Sequence, residues 1–167
     1  SNYVSKVVFP LEMLTVVSTF AAFINLFINL TLIIIFKIIL FSNANFEIFY
    51  LLIILPSFAL MILGITWIFA SIGVFIRDLS HVVTSGIQGL LFLSPIFYPI
   101  SSLPEWLRPF ILINPISIPV EQARKVLLFN ETPDISTLII YLLFSVCISI
   151  SGYYLFQKSK KGFADVI

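Results

Sequence analysis

The chain has 167 residues, of which 60% are apolar and only 10% charged, with a formal net charge of +1. Soluble domains carry roughly 25% charged residues, so this chain cannot cover itself with a water-facing surface, and membrane lipid must enclose much of it. The near-neutral balance leaves no basic footprint for nucleic acid. At about 20 residues per crossing there is room for four or five spans. The sequence predicts an all-α membrane protein, one transmembrane domain over residues 1–167, with about four transmembrane helices and short re-entrant or interfacial helices on the outer side. It opens on Ser1-Asn2-Tyr3, without an initiator methionine or a signal peptide, and reads as a piece of a longer protein.

The first apolar run covers residues 14–41. It is longer than a bilayer needs, so it tilts or continues past the membrane surface. Asn25 and Asn29 lie four apart on one helical face and call for partners on neighbouring helices. Lys37, near the far end, can snorkel to the interface. After the polar break at Ser42-Asn43-Ala44-Asn45, a second run covers residues 46–76. Pro56 is expected to kink it, and Gly64, Ser71 and Gly73 offer places for close helix approach. The compact charged break Arg77-Asp78-Leu79-Ser80-His81 leads into a third run, residues 82–100. Ser85, Gly86, Gln88 and Gly89 make its start too polar for lipid, so it is expected to face protein or a water-filled path.

From Ser94 to Asp134 the pattern changes, with Pro95, Pro99, Pro104, Pro109, Pro115, Pro119 and Pro133 interrupting short apolar pieces. One straight spanning helix is excluded there. The segment 101–130 is expected to dip into the membrane and return, or to lie at its surface, with Trp106 interfacial and residues 121–129 forming one amphipathic helix. The last run covers residues 135–156, started by Thr132-Pro133-Asp134 and closed by Lys158, Lys160 and Lys161.

Three reversals return both chain ends to one side, which holds Lys6, Arg77, Lys158, Lys160 and Lys161. The other side holds Arg108, Arg124 and Lys125, with Lys37 nearby. The positive-inside rule places both ends in the cytoplasm.

The residues carry no enzyme chemistry. The phosphate-binding GxxxxGK pattern does not occur. His81 is the only histidine and Cys147 the only cysteine, which removes the usual metal clusters and any internal disulfide. His81 reads as an interfacial polar residue and Cys147 as a small buried hydrophobe. The charges sit at span ends, which disfavours an ion-coupled pathway.

Several stretches then carry a resemblance. Residues 4–14, from Val4 through Lys6, Phe9, Pro10 and Glu12 to Leu14, resemble the segment before the third span of type-2 ABC exporter permeases. These are the membrane subunits that export O-antigen, capsular polysaccharide or teichoic acid. Residues 69–79, ending in Arg77-Asp78-Leu79, resemble the end of that family's fourth span, and Ser94-Pro95-Ile96-Phe97-Tyr98-Pro99 resembles a run that follows it. Leu103-Pro104 and Asn114-Pro115 come next at family-like spacing. The chain departs from the pattern at Leu11, where an arginine is commoner, and by lacking the family's N-terminal amphipathic helix and first two spans.

The resemblance implies a homodimer of permeases served by two cytoplasmic ABC ATPase subunits, with ATP and Mg on those partners and no cofactor on this chain. It implies that Lys6, Phe9, Pro10, Glu12, Arg77 and Asp78 couple to the ATPase. The alternative reading of Arg77-Asp78 is a plain cap for two helices. It implies an outer gate and substrate path at Ser94, Pro95, Phe97, Tyr98, Pro99, Pro104, Trp106, Asn114, Pro115, Glu121 and Arg124. Phe97, Tyr98 and Trp106 are candidates for stacking on sugar rings or for interfacial anchoring. Glu121 and Arg124, three apart, either pair with each other or meet a charged lipid-linked head group. The cargo expected is a lipid-linked polysaccharide. The alternatives are a drug or small glycolipid, and a membrane scaffold or channel that transports nothing.

Overall fold

The computed structural model describes residues 11–41, 46–76 and 78–163. Among them run six α-helices: α1 (Leu11–Phe41), α2 (Leu51–Gly73), α3 (Leu79–Leu93), α4 (Arg108–Ile113), α5 (Ser117–Arg124) and α6 (Ile135–Phe163). Tight 3₁₀ turns at Phe46–Tyr50 and Ile100–Ser102 and a wide π turn at Lys125–Phe129 fill the connections. Three stretches are long and apolar enough to cross a bilayer: Glu12–Leu40, Phe46–Gly73 and Ile135–Lys160.

α2 and α6 form the tightest pair because both shed side chains where they cross. A Cβ on Gly152 would stand 2.3 Å from the Gly64 carbonyl oxygen, and one on Gly64 would stand 2.6 Å from the Ser149 backbone nitrogen. The seam continues through buried Ser57, Met61 and Ser71 on α2 and Tyr141, Ser145 and Ser149 on α6. Lipid gives no hydrophobic drive to join two helices, so close packing through small residues must supply it. Three of the seam hydroxyls bond back to their own helix: Ser57 to the Ile54 oxygen at 2.8 Å, Ser71 to Trp67 at 2.7 Å and Ser145 to Tyr141 at 2.7 Å. The Trp67 and Tyr153 rings meet edge to face with centroids 5.2 Å apart.

The apolar core lies toward the other end of the pair. Leu51 and Ile54 of α2, Val126 and Leu127 of the π turn and Leu138 of α6 are buried together, with Leu30 and Ile34 of α1 against them. The proline-broken segment therefore contributes to the core. α1 packs more lightly, with Phe23 against Phe58 at 5.8 Å between ring centroids. An open apolar groove of about 560 Å³, lined by Phe20, Phe27, Leu52, Pro56 and Ala59 among others, separates much of α1 from α2. Asn25 and Asn29 are exposed and find no hydrogen-bond partner among the described residues.

Three expectations change. The third apolar run is helical only to Leu93, because Ser94 precedes Pro95 and takes extended backbone (φ −83°, ψ 142°). At 15 residues α3 is about 22 Å long, short of the roughly 30 Å hydrocarbon layer. The helix expected at 121–129 becomes α5 followed by the π turn. Cys147 is exposed on the outward side of α6 rather than buried.

Candidate functional site

Four of the seven prolines between Ser94 and Asp134 fall at the start of a helix or turn, where the chain needs no amide hydrogen. Pro109 and Pro119 lie in the first turns of α4 and α5, where backbone N–H groups have no helical partner anyway. Pro99 precedes the 3₁₀ turn and Pro104 opens another, closed by the Leu107 N–H on its carbonyl at 3.0 Å. Backbone broken so often leaves carbonyls that no ladder takes up, and polar side chains take several of them.

Asn114 does this for the end of α3. Its Nδ2 donates to the Leu90 carbonyl at 3.1 Å and to the Ser94 hydroxyl at 2.8 Å. Its Oδ1 accepts the Ile116 N–H at 3.0 Å, a turn that asparagine favours. Both Asn114 and Ser94 are buried, and the Ser94 hydroxyl itself donates to Leu90 at 2.5 Å. Ser117, fully buried, donates to the Ile111 carbonyl at 2.6 Å, and Tyr141 of α6 donates to the Pro115 carbonyl at 2.8 Å.

Arg124 does it for the turn after α3. Its guanidinium donates to the carbonyls of Pro95, Ile96 (3.0 Å) and Tyr98 (3.4 Å), and pairs with Glu121 at 2.7 Å. The planar fork suits this bridging task better than a lysine would. The Glu121–Arg124 pair is therefore made, and the arginine is occupied with holding the Pro95–Tyr98 turn.

Ser94, Pro95, Tyr98, Asn114, Pro115, Glu121 and Arg124 are thus gathered into one fastening of α3, α4 and α5. Phe97 and Trp106 are not drawn into it: they stand 75% and 70% exposed. Tyr98 is half-buried, and its hydroxyl donates to Phe92 at 3.3 Å. Pro99 and Pro104 are exposed. α3 below the fastening presents Ser85, Gly86, Gln88 and Gly89 to open space, with nothing within 4 Å of where a Cβ on either glycine would lie.

Of the residues expected to couple to an ATPase, Lys6, Phe9, Pro10 and Arg77 lie outside the described residues. Asp78 is exposed, and its carboxylate makes no cap bond to α3. Glu12 is engaged internally: Lys160 reaches its Oε2 at 2.8 Å and Gln157 its Oε1 at 3.3 Å. At the opposite end Asp134 starts α6 as expected. It accepts from the hydroxyls of Thr137 (2.6 Å) and Ser136 (2.7 Å), which hold its carboxyl down at about 2.

Sequence reading missed Ser117, Gln122, Asn130 and Tyr141 in this construction. Gln122 accepts the Asp134 N–H at 2.8 Å, and Asn130, in the left-handed region at φ 57°, accepts from the Lys37 ammonium. Their partners lie from six to 93 residues away, on other elements, and leave no helical or strand period to read. The left-handed Asn130 after an apolar turn is the exception, since asparagine tolerates that backbone.

Residues 1–128 match the ABC-2 type transporter membrane family. Among curated proteins the chain is similar to two O-antigen export system permease proteins, RfbA, of Klebsiella pneumoniae. It is 28% and 29% identical to them over 104 residues, 62% of this chain and 40% of each relative. An RfbA permease of Myxococcus xanthus is 28% identical over 107 residues, 63% of this chain and 41% of the relative. The matched stretch spans about two fifths of the length of these relatives. With three apolar helices long enough to cross a membrane and a match over most of its length, the chain belongs to the ABC-2 type transporter membrane family, as a multi-pass permease domain.

Proposed function

We propose that the full protein is the membrane subunit of an ATP-driven exporter that moves a lipid-linked polysaccharide across the cytoplasmic membrane, with ATP hydrolysed on a separate cytoplasmic subunit. The relatives' names support the cargo class. The observation that carries the mechanism is α3: a short helix with an open semi-polar face, tied at its far end to irregular backbone. In hydrocarbon, such backbone is tolerated only where protein or a water-filled cavity satisfies it. Asn114 and Arg124 meet that requirement for the Ser94–Tyr98 turn. α3 then crosses as a fourth, incomplete span, and the segment 101–130 is the outer gate that meets it partway.

In this reading the termini and the Asp78 turn face the cytoplasm, and two copies place their α3 faces along a shared path. Phe97 and Trp106, exposed near the gate, offer aromatic faces to sugar C–H surfaces, contacts that need no fixed register and so suit a sliding polymer. The exposed carboxylate of Asp78, next in sequence to Arg77, gives the ATPase charge to grip at the base of α3.

The test is reconstitution of the full-length protein with an ATPase that co-purifies with it. Arg77→Glu is expected to leave membrane insertion intact and to abolish polymer export while ATP hydrolysis continues. A full-length protein that never co-purifies with an ATPase, or an Arg77→Glu variant that exports normally, would overturn the reading or its coupling step respectively.

A further inference from the structure

α1 touches the rest of the protein along a single narrow stripe. Glu12, Val16, Thr19, Phe23, Leu26, Leu30, Ile34 and Lys37 recur at intervals of three or four and, with Thr15 beside them, are the half-buried or buried positions described on α1, while the surface between them is exposed. A stripe this narrow is a seam rather than a core face. Its two ends are its only charged members, and each is fastened to a different element. Glu12 holds Lys160 and Gln157 at the end of α6. Lys37 holds Asn130, which closes the π turn.

Twenty-five residues of helix separate Glu12 from Lys37, a rise of about 38 Å. That exceeds the roughly 30 Å hydrocarbon layer, so the two fastenings sit at opposite membrane surfaces. Between them, among the described residues, α1 meets its neighbours through apolar contacts such as Phe23 on Phe58 and Leu30 and Ile34 on the core, without a hydrogen bond to another element, so a small axial slide or roll breaks no polar contact; such shear of packed helices is a common mode of motion. Asn130 is well placed to receive it. It follows directly on the turn whose Val126 and Leu127 are buried in the core, and that turn continues α5, whose Arg124 grips the Pro95–Tyr98 carbonyls.

We infer that α1 is a strut that carries displacement from the terminus-side surface to the outer segment, and that Glu12, Lys160, Lys37 and Asn130 are the positioning residues pinning its ends. Glu12 then acts through Lys160 rather than by touching the ATPase. This rests on the exporter reading above.

The test uses the full-length protein with its ATPase in vesicles, and reads polymer exported per ATP hydrolysed. Asn130→Gly keeps the left-handed backbone open and removes only the amide. It is expected to leave hydrolysis running and to lower the ratio about tenfold, within the usual range of coupling between sites. Lys160→Glu is expected to do the same, and Glu12→Lys with Lys160→Glu to restore the ratio. If wild type exports but Asn130→Gly and Lys160→Glu keep its ratio, the strut is wrong and the exporter reading stands. If Glu12→Lys alone uncouples and the charge swap does not restore coupling, Glu12 touches the ATPase and the strut is again wrong. If wild type with its ATPase exports no polymer, the exporter reading itself fails, and the strut with it.

Discussion

Where α2 crosses α6, contact is made by removing side chains; from Ser94 to Asp134 it is made by adding polar ones. Gly64 and Gly152 let two backbones touch, and Ser57, Ser71 and Ser145 satisfy their hydroxyls within their own helices. In the proline-broken segment the bonds run between separate turns and helices instead. The carbonyls of Pro95, Ile96, Tyr98 and Ile111 take side chains from other turns and helices of the same segment, Pro115 takes Tyr141 of α6, and Asn114 reaches back to Leu90 of α3. A seam of touching backbones has one arrangement and resists change. A set of side-chain hydrogen bonds can be exchanged for others, or for water, at modest net cost. The first region is suited to being the frame and the second to being the part that moves.

The comparison can be broken from either side. The largest effect is expected at Gly152→Leu. The added side chain meets the Gly64 backbone, which cannot give way, so the cost should reach the top of the overpacking range, about 3 kcal/mol or more. Thermal unfolding in detergent would report it, and Trp67 emission should change as the ring loses Tyr153.

Arg124→Leu attacks the second region. It strands three carbonyls and Glu121, a loss of about 2–3 kcal/mol in the same assay. Arg124→Lys should recover only part of that, since an ammonium cannot bridge the turn as the fork does.

The smallest effect belongs to Asp134→Ala, at the start of α6. The carboxyl is lowered from 3.8 to about 2, chiefly by the Thr137 and Ser136 hydroxyls. A depressed carboxylate stabilises the fold above its unfolded pKa and loses that contribution as pH falls through the folded value. The gap between wild type and Asp134→Ala should therefore be full at neutral pH and close between pH 3.8 and about 2.

How much of this was legible in the sequence follows the same division. The long spans came from apolar runs alone, and the start of α6 from Thr132-Pro133-Asp134. Gly64 was recognisable as a place for close approach, but its partner Gly152 was not, because helix pairing is a tertiary fact. In the broken segment the prolines announced irregular backbone, and the resemblance singled out Ser94, Asn114, Glu121 and Arg124. What they do there was not legible, since a side chain that satisfies a carbonyl about 30 residues away looks in sequence like one that awaits a ligand. Glu12 is the sharpest case. It stands within a segment resembling a coupling motif, yet its partner Lys160 is nearly the length of the chain away.

One measurement addresses the division between frame and gate directly. Ser117, in the outer segment, and Ser145, in the seam, are both fully buried serines. In the full-length protein with Cys147 replaced by alanine and its ATPase present, each is changed in turn to cysteine, and labelling by a water-soluble maleimide is followed before and after ATP is added. ATP is expected to accelerate labelling at position 117 and to leave position 145 protected. Labelling at 145 that rises with ATP while 117 stays closed would contradict it.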